Sequence, residues 1–328
     1  MLSTFESRKK QRELNEKLIK SALILAAVIS ILTTFGILFS ILFEAIEFFK
    51  LRSFWYFLTG TQWTPGTAGS QFGALPIFAG TFVITVIALL VAIPIGLGSA
   101  IYMSEYASST FRDYLKPILE VLAGIPTVVY GFFAAITVAP IIVEIAGYFG
   151  VDAAFNSALA SGVVMGIMII PLVSSLSDDV IRAVPDSQRK AAFALGMTQS
   201  ETIKNIVIPS AMPGIISASL LALSRALGET MIVVMAAGLR PNLSWNPLED
   251  MTTVTVTIVN SLVGDFEFNS PETLSAFALG LMLFIVTLIL NIISLSLIRK
   301  FKEKYKVNTL LLKEKRETNN TIHFMIQL

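Results

Sequence analysis

Apolar residues in this chain fall into long blocks, and the polar residues collect between them. A bilayer core about 30 Å thick takes roughly 20 apolar residues in a helix. The first block, 21–43, carries no charge. It is longer than a signal-peptide core and lacks a small-residue cleavage site, so it reads as a retained anchor. Five further blocks follow. The second, 75–102, contains Pro76, Pro94, Gly96 and Gly98, which predict a bend near its end. The third, 117–143, has Glu120 near one end and Pro126 and Pro140 inside. The fourth is 157–176, interrupted by Pro171. The fifth is 211–239, with Arg225 and Glu229 inside it. The sixth, 274–298, is the cleanest. The pattern predicts an all-α polytopic membrane protein with six transmembrane helices.

The polar segments give this count a direction. The basic residues group before the first block, in 103–116, in 177–209 and after residue 298. Only Lys50, Arg52 and Arg240 fall in the alternate loops, and only Arg225 falls inside a block. This asymmetry predicts both termini on the cytoplasmic side of the cell (inner) membrane. The outer loop 48–74 holds Trp55, Tyr56 and Trp63, which suit a headgroup belt. The Thr/Val-rich stretch 252–263 predicts a short helix or hairpin on the outer mouth. The tail after Tyr305 is polar and expected to be mobile. Composition agrees: of 328 residues, 54% are hydrophobic and 14% charged, against about 25% charged in ordinary soluble domains. A net charge of +1 argues against a nucleic-acid binder. With no Cys and a single His, His323, thiolate sites, His-based metal sites and Ser-His triads lose their ligands. No metal, cofactor or catalytic residue is expected.

The loop 177–209 carries local helix signals. Pro185, Asp186 and Ser187 predict a helix start with Asp186 or Ser187 as N-cap. Gly196 predicts its stop. Thr198 and Glu201 have capping-box spacing, which predicts a second short helix ending near Pro209. A plain capped loop would read the same way. The spacing adds more: Ala191-Ala192, three residues, Gly196, nine residues, then Ile206-Val207-Ile208-Pro209. This resembles the signature of ABC importer permeases, Glu-Ala-Ala, three residues, Gly, nine residues, Ile-x-Leu-Pro. Lys190 stands in place of the Glu and Ile208 in place of the Leu. The resemblance implies coupling helices at 186–208 that dock on an ATPase subunit through Ala191, Ala192, Gly196, Lys190, Glu201 and Pro209. No Gly-Lys pair, and hence no Walker A sequence, occurs in the chain, so ATP hydrolysis would belong to a partner.

Arg225 and Glu229 are four residues apart, which on one helix puts them on one face, able to pair. Each charge alone costs roughly 2.5–3.5 kcal/mol at a bilayer centre. One reading is an ion pair that glues helices. The other is a translocation site, with Arg225 meeting an oxyanion, Glu229 moderating the affinity, and Ser224 and Thr230 beside them. The segment Arg225-Ala-Leu-Gly-Glu-Thr-Met231, with Ala-Ala-Gly ending at Gly238, resembles phosphate-specific ABC permeases. So does 123–132, Ala-Gly-Ile-Pro-Thr-Val-Val-Tyr-Gly-Phe. Trp63-x-Pro65 with Phe72-Gly-Ala-Leu-Pro76 is similar to the C-type subunit of those systems.

The resemblance implies a MetI-like type I ABC importer permease core at 75–298. Residues 1–74 supply the first span and outer loop, and 299–328 a cytoplasmic tail. It also implies an A-type permease partner, a dimer of ATP-binding subunits, a periplasmic or lipid-anchored phosphate-binding protein, inorganic phosphate as cargo and membrane lipids around it. Sulfate or molybdate import, an ATP-independent transporter or channel, and a membrane scaffold are the alternatives. Among single positions, Glu120 is expected at the interface. Tyr130 is expected two-thirds of the way to the outer face, in packing. Asp178 and Asp179 are expected to be solvated or capping, Met231 and Met235 to be core packing, and His323 to be inert.

Overall fold

The computed structural model describes residues 2–66, 69–264, 267–296 and 298–299, with side chains from residue 15 onward. The tail from Lys300, with its basic residues and His323, lies outside the described residues. Among the described residues, six helices are long and apolar enough to cross a membrane: Asn15–Leu51, Leu75–Tyr106, Thr127–Tyr148, Ala158–Arg182, Gln199–Leu227 and Pro271–Ser296. The number is the one the apolar blocks predict, but the first, third, fourth and fifth spans have clearly different bounds.

The chain begins with α1 (Leu2–Leu51), followed by α2 (Phe54–Thr59) and a two-stranded pair, β1 (Trp63–Thr64) and β2 (Gln71–Phe72). The pair is antiparallel, with Trp63 opposite Phe72. α3 (Leu75–Ile101) runs through Pro94 without ending and finishes in a π-helical turn, Tyr102–Tyr106. α4 (Ser109–Ala123) is a separate helix with Ser108 as its cap. α5 (Thr127–Phe133), a π turn at Ala134–Val138 and α6 (Ala139–Tyr148) make the third span. The predicted block 117–143 therefore merged two elements. Pro126 lacks an N–H and disfavours helix in the residue before it, so the chain breaks there. Glu120 is consequently exposed on α4, outside the span.

α7 (Ala158–Arg182) starts at Ser157, whose hydroxyl accepts from the Ala160 N–H, and runs past its predicted end. α8 (Asp186–Ala194) and α9 (Gln199–Thr202) form the connecting loop. A π turn at Ile203–Val207 joins α9 directly to α10 (Ile208–Leu227). The predicted second short helix is thus the beginning of the span: Pro209 follows directly on the π turn and does not end the helix. α11 (Met231–Ala236) and α12 (Val254–Val263) are short, and α13 (Pro271–Ser296) closes the bundle.

The centre is the pair α3 and α7. Lipid offers no hydrophobic drive between helices, so close approach of small residues has to supply van der Waals contact. A Cβ added at Gly166 would come within 2.7 Å of the Val91 side chain and 2.8 Å of the Ala88 carbonyl. One added at Gly214 would strike Val180, bringing α10 against α7. Ile84, Ala88, Ala92, Met165, Ile169 and Val173 fill the space between.

The two ends of this bundle differ. At the upper end, where α1 finishes and α7 begins, Phe48, Phe57, Trp63 and Phe72 interlock edge-to-face. Trp63 is therefore buried in a protein cap, while Trp55 stays exposed as a belt residue should. The stretch 252–263 resolves as the helix α12, whose Val254 N–H bonds the Thr81 hydroxyl at 3.0 Å. At the lower end, where α3 and α7 finish, charges dominate. Arg112 of α4 bonds the buried Asp178 at 2.8 Å, and Lys116 bonds Asp179 at 2.7 Å. The two acidic residues are thus ion-paired to α4, which the sequence reading did not foresee.

Candidate functional site

The charged residues that the sequence singles out lie in two places: the break after α10, and the lower-end loop around α8.

The predicted block 211–239 is not one helix. α10 stops at Leu227 with Gly228 at its end, and α11 starts three residues later. Arg225 and Glu229 are therefore not on one helical face, and no ion pair joins them among the described residues. Glu229 is buried, and its Oε1 accepts from the backbone N–H of Met231 at 3.1 Å and of Ile232 at 3.4 Å. These are the donors a helix start leaves without intrahelical partners, so the carboxylate caps α11. Its own carbonyl accepts from the Thr255 hydroxyl at 2.9 Å. A buried carboxylate this deep is tolerable because two N–H groups answer it.

Arg225 lies on the exposed side of α10 with Ser224. Its Nη2 is 3.9 Å from the Met168 sulfur, a soft and weak contact. Met168 stands near mid-length of α7, so the guanidinium sits near mid-height of the bundle. Thr230 is half-buried at the break. Nearby, Tyr130 donates to the Leu122 carbonyl at 2.9 Å. It therefore bridges the Pro126 break near the start of its span, lower than predicted. Met235 packs on Gly131 as expected of a core residue, whereas Met231 is exposed. An upper-end cleft of about 180 Å³, between Trp63, Pro65, Leu239, Pro241, Thr257, Asn260 and Ser261, presents no charged group, whereas another of about 260 Å³ is lined by Arg52.

The lower loop is a built structure. α8 starts after Pro185 with no side-chain cap, so neither Asp186 nor Ser187 is the N-cap; Asp186 is the first helical residue. Arg189 holds this start from the opposite side. Its Nη1 donates to the Val184 carbonyl and to Asp186, the latter at 3.3 Å. Its Nη2 donates to the Ile181 carbonyl at 3.0 Å and to Glu105 at 2.8 Å. The helix ends at Gly196, whose φ of +80° is left-handed. There Gly196 N–H bonds Phe193 O and Met197 N–H bonds Ala192 O, the Schellman arrangement for which Gly is the favoured residue. Thr198 and Glu201 then form the predicted capping box in full.

Of the predicted docking residues, Lys190, Ala191, Gly196 and Glu201 are exposed, Pro209 is half-buried, and Ala192 faces inward, buried. The sequence reading missed two neighbours. Phe193 is 48% and Leu195 83% exposed at the tip of the loop. Two large apolar side chains at the apex of a polar loop were a usable signal. Arg189 was also missed, because its partner Glu105 is 84 positions away.

The upper-end loop 240–250 is tied by Glu249, which accepts from Asn242 at 2.8 Å and Asn246 at 3.1 Å. Hydrogen bonds from Ser244, Asn242 and Asn246 hold its carboxyl below the ordinary carboxylate range. Among the described residues, no group of three or more His, Asp and Glu is placed to hold a metal.

Residues 92–306 match a family described as "Binding-protein-dependent transport system inner membrane component". The chain is 34% identical over 251 residues to "Probable ABC transporter permease protein YqgH" of Bacillus subtilis (strain 168), covering 76% of this chain and 78% of that protein. It is 31% identical over 307 residues to "Phosphate transport system permease protein PstC 1" of Mycobacterium tuberculosis (strain ATCC 25618 / H37Rv), covering 84% and 90%. It is 35% identical over 252 residues to "Phosphate transport system permease protein PstC" of Mesorhizobium japonicum (strain LMG 29417 / CECT 9101 / MAFF 303099), covering 71% and 75%. In fold it is similar to a crystal structure of a bacterial ABC transporter involved in the import of the acidic polysaccharide alginate. That similarity has TM-score 0.60 at 16% identity and covers 88% of this chain and 99% of that chain.

Proposed function

The chain belongs to the family of binding-protein-dependent transport system inner membrane components, and on that premise we propose that it is the C-type permease of an ATP-driven phosphate importer. The observation that carries the proposal is the separation of Arg225 from Glu229. With the carboxylate engaged by the Met231 and Ile232 N–H groups, the guanidinium at mid-height keeps its donors for a passing oxyanion. A planar fork of N–H groups matches two oxygens of a phosphate. One such contact, without a cage around it, binds weakly enough to release. Glu229 serves the site by shaping the break that leaves Arg225 and Ser224 facing outward from the chain. The relatives whose printed names are phosphate transport permeases support phosphate as the cargo.

In this reading the exposed side of α10 faces an A-type permease and the path runs between them. The lower end is cytoplasmic, as the basic residues predict. A dimer of ATP-binding subunits receives the loop 186–208, with Phe193 and Leu195 as the apolar knob and Lys190, Ala191, Gly196 and Glu201 around it. A phosphate-binding protein docks on the upper end. This chain performs no ATP hydrolysis of its own. Residues 75–298 form the permease core, with 1–74 as first span and outer loop.

The test is phosphate uptake into proteoliposomes holding this chain, its partner permease, ATPase and binding protein. Uptake that needs ATP and all partners is expected. Uptake by this chain alone, or uptake of sulfate or molybdate in preference to phosphate, would overturn the reading.

A further inference from the structure

Both halves of the lower loop grip Glu105. From α8, Arg189 reaches its carboxylate with Nη2 at 2.8 Å and Nε at 3.3 Å. From α9, the Gln199 side-chain amide donates to its backbone carbonyl at 2.7 Å. Glu105 itself belongs to the π turn that finishes α3. Arg189 meanwhile closes the end of α7 by donating to the Ile181 and Val184 carbonyls. Its side chain is 15% exposed and that of Glu105 is 9% exposed, so water screens the pair little. One guanidinium therefore joins α8 to the ends of both helices of the tightly packed central pair.

We propose that the Arg189–Glu105 pair is the strut through which the docking loop moves α3 and α7 as one body. This rests on the reading of 186–208 as the segment an ATPase engages. The physical reason is stiffness. α9 continues without a break into α10, so a push on α9 reaches α10 along a helix. α8 has no such continuity with α3 and connects to it only through side chains. Without the strut, a push on the loop would still reach α10 along the helix and α7 through residues 183–185, but α3 would be held far less firmly. Arg189 is in this sense a positioning residue, acting on the path through the helices it holds.

The chain has no Cys, so spin labels can be placed at chosen sites. Labels at Ser187→Cys on α8 and Leu90→Cys on α3 report their separation in the assembled complex, with and without trapped ATP. Both positions are exposed. In the otherwise unaltered chain the separation is expected to stay constant within about 2 Å, the scale of ordinary helix shifts. Arg189→Lys keeps the charge but loses the fork, and Glu105→Gln keeps the Arg189 bonds to the α7 carbonyls. In each, ATP should shift the separation by several ångströms. Phosphate carried per ATP should fall roughly fivefold to tenfold, with ATP hydrolysis falling less than twofold. The double variant should be no worse than either single one, since both remove the same link.

A constant separation in the variants, or transport and hydrolysis falling together, would overturn the strut. So would loss of assembly in both variants, which would make the pair a folding element only. If the separation stays constant in the unaltered complex and shifts with ATP in the variants, but no phosphate is carried, the function reading fails and the strut stands.

Discussion

Arg189 and Arg225 are the same side chain used in opposite ways. Arg189 spends its donors on Glu105, Asp186 and two backbone carbonyls. Arg225 has a single described contact, to a thioether sulfur, and its neighbour in sequence with a carboxylate is occupied elsewhere. A guanidinium that is saturated fixes backbone; for the one left open in an apolar span, we propose cargo as the partner. Proximity in sequence does not distinguish them. Glu229 is four residues from Arg225 and does not pair with it, whereas Glu105 is 84 residues from Arg189 and does.

The largest effect that would break this contrast is expected at Arg225. Arg225→Gln should lower phosphate uptake roughly tenfold to a hundredfold, the worth of a charged hydrogen bond, with assembly and thermal stability unchanged. Lost stability would make Arg225 another fixing residue. Arg189→Gln should do the reverse and lower thermal stability by about 2 kcal/mol. It strands a carboxylate and two carbonyls, though partial exposure softens the cost below that of a fully buried pair. Unfolding of the detergent-solubilised complex measures this. Glu229 sharpens the comparison further. Glu229→Gln keeps the Oε1 acceptor for α11, so uptake should change less than about threefold; Glu229→Ala should cost about 1–2 kcal/mol as a lost cap. If Glu229→Gln instead alters phosphate affinity strongly, the carboxylate does act on Arg225.

Thr198→Ala should cost about 1 kcal/mol locally, seen as faster amide exchange at Glu201 with phosphate transport nearly kept. The smallest effect concerns Glu249, a carboxylate held by neutral donors. Its carboxyl lies below the ordinary range in the folded chain, so its contribution is present above that range and lost as pH falls through the folded value. Amide exchange at Leu248 and Met251, corrected for intrinsic rate, should rise only under acid conditions below the usual carboxylate range.

Much of this was legible in the sequence, for a physical reason. A span must be apolar along its whole length, so six blocks declare six helices. Caps and left-handed turns are decided within a few residues, so Gly196 and the Thr198–Glu201 box could be read directly. The breaks were not legible. Gly228 lies in an apolar run that a helix tolerates, and only the capping of α11 by Glu229 ends it. α4 was lost because Ile118, Leu119, Val121 and Leu122 continue the hydropathy of the span beyond Pro126. Asp178 and Asp179 depend on Arg112 and Lys116, more than sixty positions earlier, and no local pattern carries that information. The identity of the open arginine was visible; its lack of an ion-pair partner among the described residues was not.

The three π turns give the spans a further property. Each holds one surplus residue, at Tyr102–Tyr106, Ala134–Val138 and Ile203–Val207. A wide turn passes along a helix by exchanging one hydrogen bond at a time, and the part it leaves behind rotates by about 100°. No backbone group need be stranded in hydrocarbon while this happens. Among the described residues, two of these three turns lie where the α8–α9 loop meets α3 and α10. Both turns keep their backbone groups bonded while re-aiming the side chains around them, Glu105 among these.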